Sequence, residues 1–188
     1  MGMSRFDEAI AEIRRAREID PLDVLINARE AQTLAYAGRS EEALAQAQKT
    51  LEIDPNYWFA YLWASEAYIA QGRFDEALAA ARKSRQILRV GSHATAFIGY
   101  CLAKSGKGAE ARTELNELLK LSKDRYVSPY NLAIIYNGLD DRDQTFAQLN
   151  RGIDERDPKM VLLSHDRKLM NLHEDPRFVD LVKRIGLP

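Results

Sequence analysis

The chain has one cysteine in 188 residues, Cys101, so an intrachain disulfide and a four-cysteine zinc site are both excluded. Neither sign of charge is in excess. Its 27 basic and 28 acidic residues give a net charge of −1 and a pI near 6.3, without the basic footprint of a nucleic-acid binder. No apolar run approaches the roughly 20 residues that cross a bilayer. The opening Met1-Gly2-Met3-Ser4-Arg5-Phe6-Asp7-Glu8 has no hydrophobic segment of signal-peptide type. These absences predict a cytoplasmic protein with neither a membrane nor a nucleic acid as partner. Hydrophobic residues at 46% and charged residues at 29% suit an ordinary folded domain rather than a disordered one.

What the sequence does have is a repeat. Gly38, Gly72 and Gly106 are evenly spaced, and so are Ala9, Ala43, Ala77 and Ala111. Glu18-Ile19-Asp20-Pro21 returns as Glu52-Ile53-Asp54-Pro55, and Arg5-Phe6-Asp7-Glu8-Ala9 returns as Arg73-Phe74-Asp75-Glu76-Ala77. The common period is about 34 residues, one helix–turn–helix unit of a solenoid. Such a unit cannot bury its apolar faces alone, so small, large and turn residues must recur where each meets the next. Glycine suits the positive-φ end of a first helix, alanine the close approach of two helices, and proline the stop after a second helix.

On these residues the chain resembles a tetratricopeptide repeat (TPR) array. Tyr61, Ser65, Tyr68, Ala77 and Ala81 fit the best unit, Gly99, Leu102, Ala111 and Leu115 the next, and Leu132, Ala133, Tyr136 and Leu149 a divergent one. The departures are Asn27 at an aromatic position, Thr145 at an alanine position, and Arg89 and Lys123 at proline positions. The resemblance implies an all-α fold, a right-handed α-solenoid of antiparallel helix pairs closed by a C-terminal helical cap.

The expected layout is an array over residues 5–157 and a cap over 158–188. The array has a lone helix over 5–20, then pairs over 22–53, 56–88, 92–121 and 128–155. Cations in Ala-Gly-Arg, Gln-Gly-Arg and Ser-Gly-Lys are expected to face the negative ends of first helices. Ser128 with Pro129 reads as a helix start. Gly138 lies out of the glycine register, which predicts a rearranged turn there. The lone helix lacks a first helix, so Ala9, Ile13 and Ala16 form an apolar stripe open to self-association. Either it is a cap or the chain continues upstream, and the reading favours a longer protein. The ending Asp175-Pro176-Arg177-Phe178, with Leu181, Arg184, Gly186 and Leu187, resembles the close of TPR regions in multidomain bacterial signalling proteins.

Nothing in the residues calls for an enzyme, a metal or a cofactor. Gly106-Lys107-Gly108-Ala109-Glu110-Ala111 has dinucleotide-binding spacing, but it follows a helical run instead of the required strand. His165 and His173, beside Asp166, Glu174 and Asp175, read as polar link residues and caps. Cys101 reads as a buried thiol. Ser164-His165-Asp166 is contiguous, whereas a catalytic triad is assembled from separate segments.

First helices of stacked pairs line an inner surface, and in TPR proteins that surface accepts a peptide or a helix. The register places Arg29, Gln32 and Tyr36 there, beside Leu25. Phe59, Trp63 and Glu66 follow, then His93, Phe97 and Tyr100, and finally Tyr130, Asn131 and Ile134. An aromatic stripe of Phe59, Trp63, Phe97, Tyr100 and Tyr130 is expected, since Trp and Tyr are frequent binding anchors. The Lys/Asn/Arg carboxylate clamp of chaperone-binding TPR domains is missing: Gln32, Trp63, His93 and Phe97, with Leu25 or Ala28, hold those positions. The sequence therefore predicts a scaffold that takes a peptide or helix of a partner protein. The alternative is an oligomerisation or regulatory module of a larger signalling or transcription protein.

Overall fold

A computed structural model describes residues 2–89 and 91–186. Its contacts divide the chain into two compact units, Met1–Val90 and Gly91–Pro188. Among the described residues every regular element is a helix.

The first unit holds α1 (Gly2–Ile19), α2 (Val24–Tyr36), α3 (Ser40–Ile53), α4 (Trp58–Ala70) and α5 (Phe74–Leu88). α2 pairs with α3 and α4 with α5, and α1 packs on α2. Ala43, Ala47, Ala77 and Ala81 are fully buried, because a methyl group at these positions lets paired helices approach closely. Ile10, Leu34 and Trp63 fill the space around them. α1 is fixed to α2 by a buried carboxylate: Glu30 accepts from Arg14 Nε at 2.9 Å and from Arg17 Nε at 2.7 Å.

The second unit holds α6 (Ser92–Lys104), α7 (Gly108–Leu121), α8 (Pro129–Gly138), α9 (Arg142–Asp154) and α10 (Pro176–Ile185). Two 3₁₀ helices, Pro158–Leu162 and Arg167–Leu172, lie between α9 and α10. α6 pairs with α7 and α8 with α9, and α6 packs along α8. Gly99 makes the α6–α8 approach possible, since a Cβ there would stand 2.8 Å from Ile135 Cδ1. Residues 158–186 belong to this unit, joined through α8 and α9. Leu187, part of the terminal pattern, lies outside the described residues.

The repeat is visible in single hydrogen bonds. Gly38 N donates to Ala35 O and Arg39 N to Leu34 O, and the same pair of bonds closes the turns at Gly72 and Gly106. It recurs at Asp140, whose N donates to Asn137 O while Asp141 N donates to Tyr136 O. The fourth turn is therefore not rearranged. Asp140 stands in the glycine register and takes the left-handed conformation itself, with φ 59°. Gly138 is needed for a close approach instead, because a Cβ there would meet Tyr100 Cδ2 and Ala103 Cβ at 3.1 Å.

Asn27 likewise fills an aromatic position by equivalent chemistry. Tyr61 OH donates to Pro55 O at 3.2 Å, and one period earlier Asn27 Nδ2 donates to Pro21 O at 2.9 Å. Gln46 Nε2 completes the amide by donating to Asn27 Oδ1 at 2.7 Å.

Two local expectations change. The Arg39 and Arg73 guanidinium groups donate to Glu42 and Glu76 in the first turns of the following helices, and Arg73 also lies 4.5 Å from the ring centre of Tyr68 in the helix before it. Ser128 makes no capping bond; its Oγ donates to Asp157 Oδ2, and that same oxygen accepts from Tyr130 N at 3.1 Å. Asp157, from beyond α9, thus caps the start of α8.

Candidate functional site

The two units use their first-helix faces differently. In the first unit, α2 and α4 present a connected row of side chains. The Arg29 guanidinium lies 5.2 Å from the Phe59 ring centre and donates to Gln32 Oε1 at 2.7 Å. Phe59 meets Trp63 edge-on at 5.5 Å, and Trp63 meets Tyr36 at 5.1 Å. Arg29 is exposed, while Gln32, Tyr36 and Phe59 are half-buried. Leu25, one turn before Arg29, is 49% exposed. Trp63 and Glu66 are buried, against expectation; Tyr36 and Phe59 close over the Trp63 indole.

In the second unit the corresponding residues are covered by the chain itself. Lys159 Nζ donates to Asn131 Oδ1 at 2.8 Å, and Asn131 Nδ2 donates to Ser92 Oγ at 2.7 Å. Lys168, in the second 3₁₀ helix, places Nζ 4.2 Å from the Phe97 ring centre and 2.9 Å from Asp166 Oδ1. Asp166 Oδ2 accepts from Tyr130 OH at 2.6 Å. Phe97, Tyr130 and Asn131 are therefore buried rather than groove-lining, and Tyr100 and Ile134 are buried as well. His93 stands edge-on to Phe97 at 5.0 Å. Its own burial, reinforced by Lys159 and Lys168, holds the imidazole well below the ordinary histidine range.

The sequence does not predict residues 159–168 at these positions. Their segment is aperiodic, so no register could align Lys159 and Lys168 with α6 and α8. Burial of the Lys159 amine lowers its pKa to about 8. An isolated buried charge would be costly, and each ammonium here has a named acceptor or an aromatic face.

The other candidates for chemistry resolve locally. Gly106 closes the turn between α6 and α7 with φ 77°, and a helix precedes it. The Asp166 carboxylate of Ser164-His165-Asp166 is committed to Tyr130 and Lys168. His173 stacks on Phe178 at 4.7 Å, and the caps beside the two histidines are Asp166 and Asp175, accepting from Lys168 N and Arg177 N. Cys101 is buried within α6. Among the described residues no three His, Cys, Asp or Glu side chains gather where a metal ion could bind. No helix among them is long and apolar enough to cross a membrane.

The tetratricopeptide repeat family model matches residues 34–89. Nothing among curated proteins matches the chain. Solved structures do. A thermophilic TPR protein of Thermus thermophilus is 20% identical with a TM-score of 0.68, covering 99% of this chain and 93% of its own. YrrB, a TPR protein with an unusual peptide-binding site, is 18% identical with a TM-score of 0.55 over 92% of this chain and 89% of its own. A TPR protein of Parabacteroides merdae is 14% identical with a TM-score of 0.56, over 96% and 72%. Residues 34–89 are tetratricopeptide repeats by sequence, and the fold of the chain is the helix-pair solenoid of tetratricopeptide repeat proteins.

Proposed function

We propose that this protein is a non-catalytic interaction scaffold that receives a peptide or helix of a partner protein on the α2–α4 face of its first unit. One observation carries the reading. The Arg29–Phe59 pair is open at that face, while Phe97 and Asn131 of the second unit are already engaged by Lys168 and Lys159. The aromatic edges behind Phe59 are locked by packing, so a ligand would lose little to ordering them. Phe59, Leu25 and Tyr36 suit an apolar side chain, and the remaining Arg29 donors suit a carboxylate or a backbone carbonyl. The peptide-binding site of YrrB belongs to a protein of the same fold and supports this choice of ligand class.

The test is selection from a random peptide library on the intact chain, followed by affinity measurement of the selected peptides. Phe59→Ala and Arg29→Ala should each weaken binding at least tenfold, about 1.4 kcal/mol or more, with helicity unchanged. Lys159→Met, on the second unit, should leave affinity as it was. Peptides insensitive to both first-unit changes would dismiss the face.

A further inference from the structure

Two clefts one period apart in the first unit hold opposite chemistry. The cleft between α1 and α3, over α2, is lined by Arg14, Arg17, Glu30, Gln46 and Lys49 and has a volume of about 180 Å³. Its polar side chains engage one another. Glu30 accepts from both arginines, Arg14 reaches on to Glu42, and Gln46 Nε2 donates to Asn27 Oδ1. One period later, between α3 and α5 and over α4, the same positions hold Gln48, Leu51, Ala64, Ala80 and Lys83. Ala64 in place of Glu30 and Ala80 in place of Gln46 leave methyl groups where two long polar side chains stood. The cleft there has a volume of about 440 Å³, within the range of small-molecule sites.

The walls of this second cleft are apolar and already fixed. Tyr61 OH donates to Pro55 O at 3.2 Å, and the Arg73 guanidinium lies 4.5 Å from the Tyr68 ring centre. Leu44 and Leu51 complete the lining. Charge is placed unevenly along it. Glu76 and Lys83 of α5 stand two turns apart, about 10 Å along the helix axis. Glu76 accepts from Arg73 Nε at 3.0 Å and Nη2 at 2.8 Å. Half-buried Lys83 has no hydrogen-bond or ion-pair partner among the described residues.

We propose that this cleft is a small-molecule site for an apolar monocarboxylate, its alkyl or aryl body over Ala64 and Ala80 and its carboxylate paired with Lys83 Nζ. The methyl floor and the tyrosine and leucine walls suit a body without polar atoms, which could find no partner there. The single unmatched ammonium suits a single negative charge, and Glu76 repels that charge from the other end, so the ligand has one orientation. The spacing of the two charged residues limits its length to roughly 10 Å, that of a small molecule. Because Tyr61 and Tyr68 are held by contacts of their own, little ordering opposes binding. The site goes beyond the peptide-binding face: by helical period, Tyr61, Ala64 and Tyr68 lie on the side of α4 opposite Phe59 and Trp63.

The test is an NMR titration of the intact, isotope-labelled chain with phenylbutyrate. Its comparisons are phenylbutylamine, the same body with the opposite charge, and butyrate, the same head without the ring. Phenylbutyrate should move the amide signals of Ala64 and Ala80 in a saturable way, and both comparison compounds should bind more weakly. Ala80→Met returns a side chain as long as Gln46 and should abolish the shifts with helicity retained. Lys83→Gln should weaken binding about threefold or more. The acid–amine comparison uses the unaltered chain, so it stands whatever Ala80→Met does to folding. No saturable shift at Ala64 and Ala80, a folded Ala80→Met that binds undiminished, or an amine that binds as tightly as the acid would each overturn the proposal. Peptide binding is read through Phe59 and Arg29 on the other side of α4, so the two readings fail separately.

Discussion

Lys168 Nζ lies 4.2 Å from the centre of the Phe97 ring, with its salt-bridge partner Asp166 held in turn by the Tyr130 hydroxyl. The side chains of Lys168 and Asp166 are 1% and 4% exposed, so each is held opposite the other away from water. Removing one partner of such a pair is expected to cost about 3–5 kcal/mol, because the other is left buried and unmatched. Asp166→Ala should show that loss, and hydrogen exchange of residues 158–172 should quicken with it. Lys168→Met is the milder change: it keeps the stem and leaves Asp166 two donors, Tyr130 OH and the backbone N–H of residue 168. It should cost less than Asp166→Ala. Equal effects from the two would mean that packing, not the ion pair, holds the segment on α8.

The titrations of the same region have opposite consequences at the two ends of the pH scale. Lys159 releases its proton near pH 8 in the folded protein, against an ordinary value of 10.5. Burial lowers it and Lys168 assists, while Asp157 and Asp166 oppose. Between those values the unfolded chain holds more protons, so stability should rise with pH across that window, by about 3 kcal/mol. Lys159→Met should abolish the rise. His93 is also lowered, so it stays neutral when folded, and stability should fall as pH drops below the ordinary histidine value. His93→Gln should flatten that acid limb. Urea midpoints measured across pH check both.

Much of this architecture is legible in the sequence because it is periodic. Gly38, Gly72 and Gly106 mark turns whose hydrogen bonds are the same, and the buried alanines fall where their spacing places them. Asn27 and Asp140 are harder to read, since each does its neighbour's work with different atoms. Only the partner carbonyl, Pro21 O beside Pro55 O, reveals Asn27 as the counterpart of Tyr61. The site is the least legible part. Helix register separates first-helix from second-helix faces, but it cannot say which positions a distant, aperiodic segment will cover. Register therefore puts Phe97 and Tyr130 on the correct helices and gives them the wrong solvent exposure.

Two positions in one turn should respond oppositely to substitution. Asp140 holds φ at 59°, a region that costs a residue with a Cβ roughly 1 kcal/mol. Asp140→Gly should therefore raise stability by about 0.5–1 kcal/mol. Its ion pair with Lys104 subtracts little, because Asp140 is 80% exposed there. Gly138→Ala should do the reverse. The added methyl would stand 3.3 Å from the Tyr100 backbone and 3.1 Å from Ala103 Cβ, neither able to swing aside. A loss of about 1–3 kcal/mol is expected, measured by thermal unfolding. A neutral Gly138→Ala would show that α6 and α8 have slack at their crossing.

The anchoring of α1 is open to the same reasoning. Glu30 is 2% exposed and accepts from Arg14 and Arg17, which are 39% and 33% exposed. The guanidinium groups can recover water when the carboxylate is removed, so Glu30→Ala should cost less than breaking a fully enclosed pair, about 2 kcal/mol. Arg14 also reaches Glu42 at 3.2 Å, so it has a second acceptor, whereas Arg17 should be left loose at the end of α1. Amide exchange should then quicken first near Arg17 and Ile19 and only later near Ile10, which is held by apolar packing. Both tryptophans, Trp58 and Trp63, lie in this unit, so their fluorescence in urea follows it directly. Uniform fraying of α1, with no gradient from Ile19 toward Ile10, would place its anchor elsewhere.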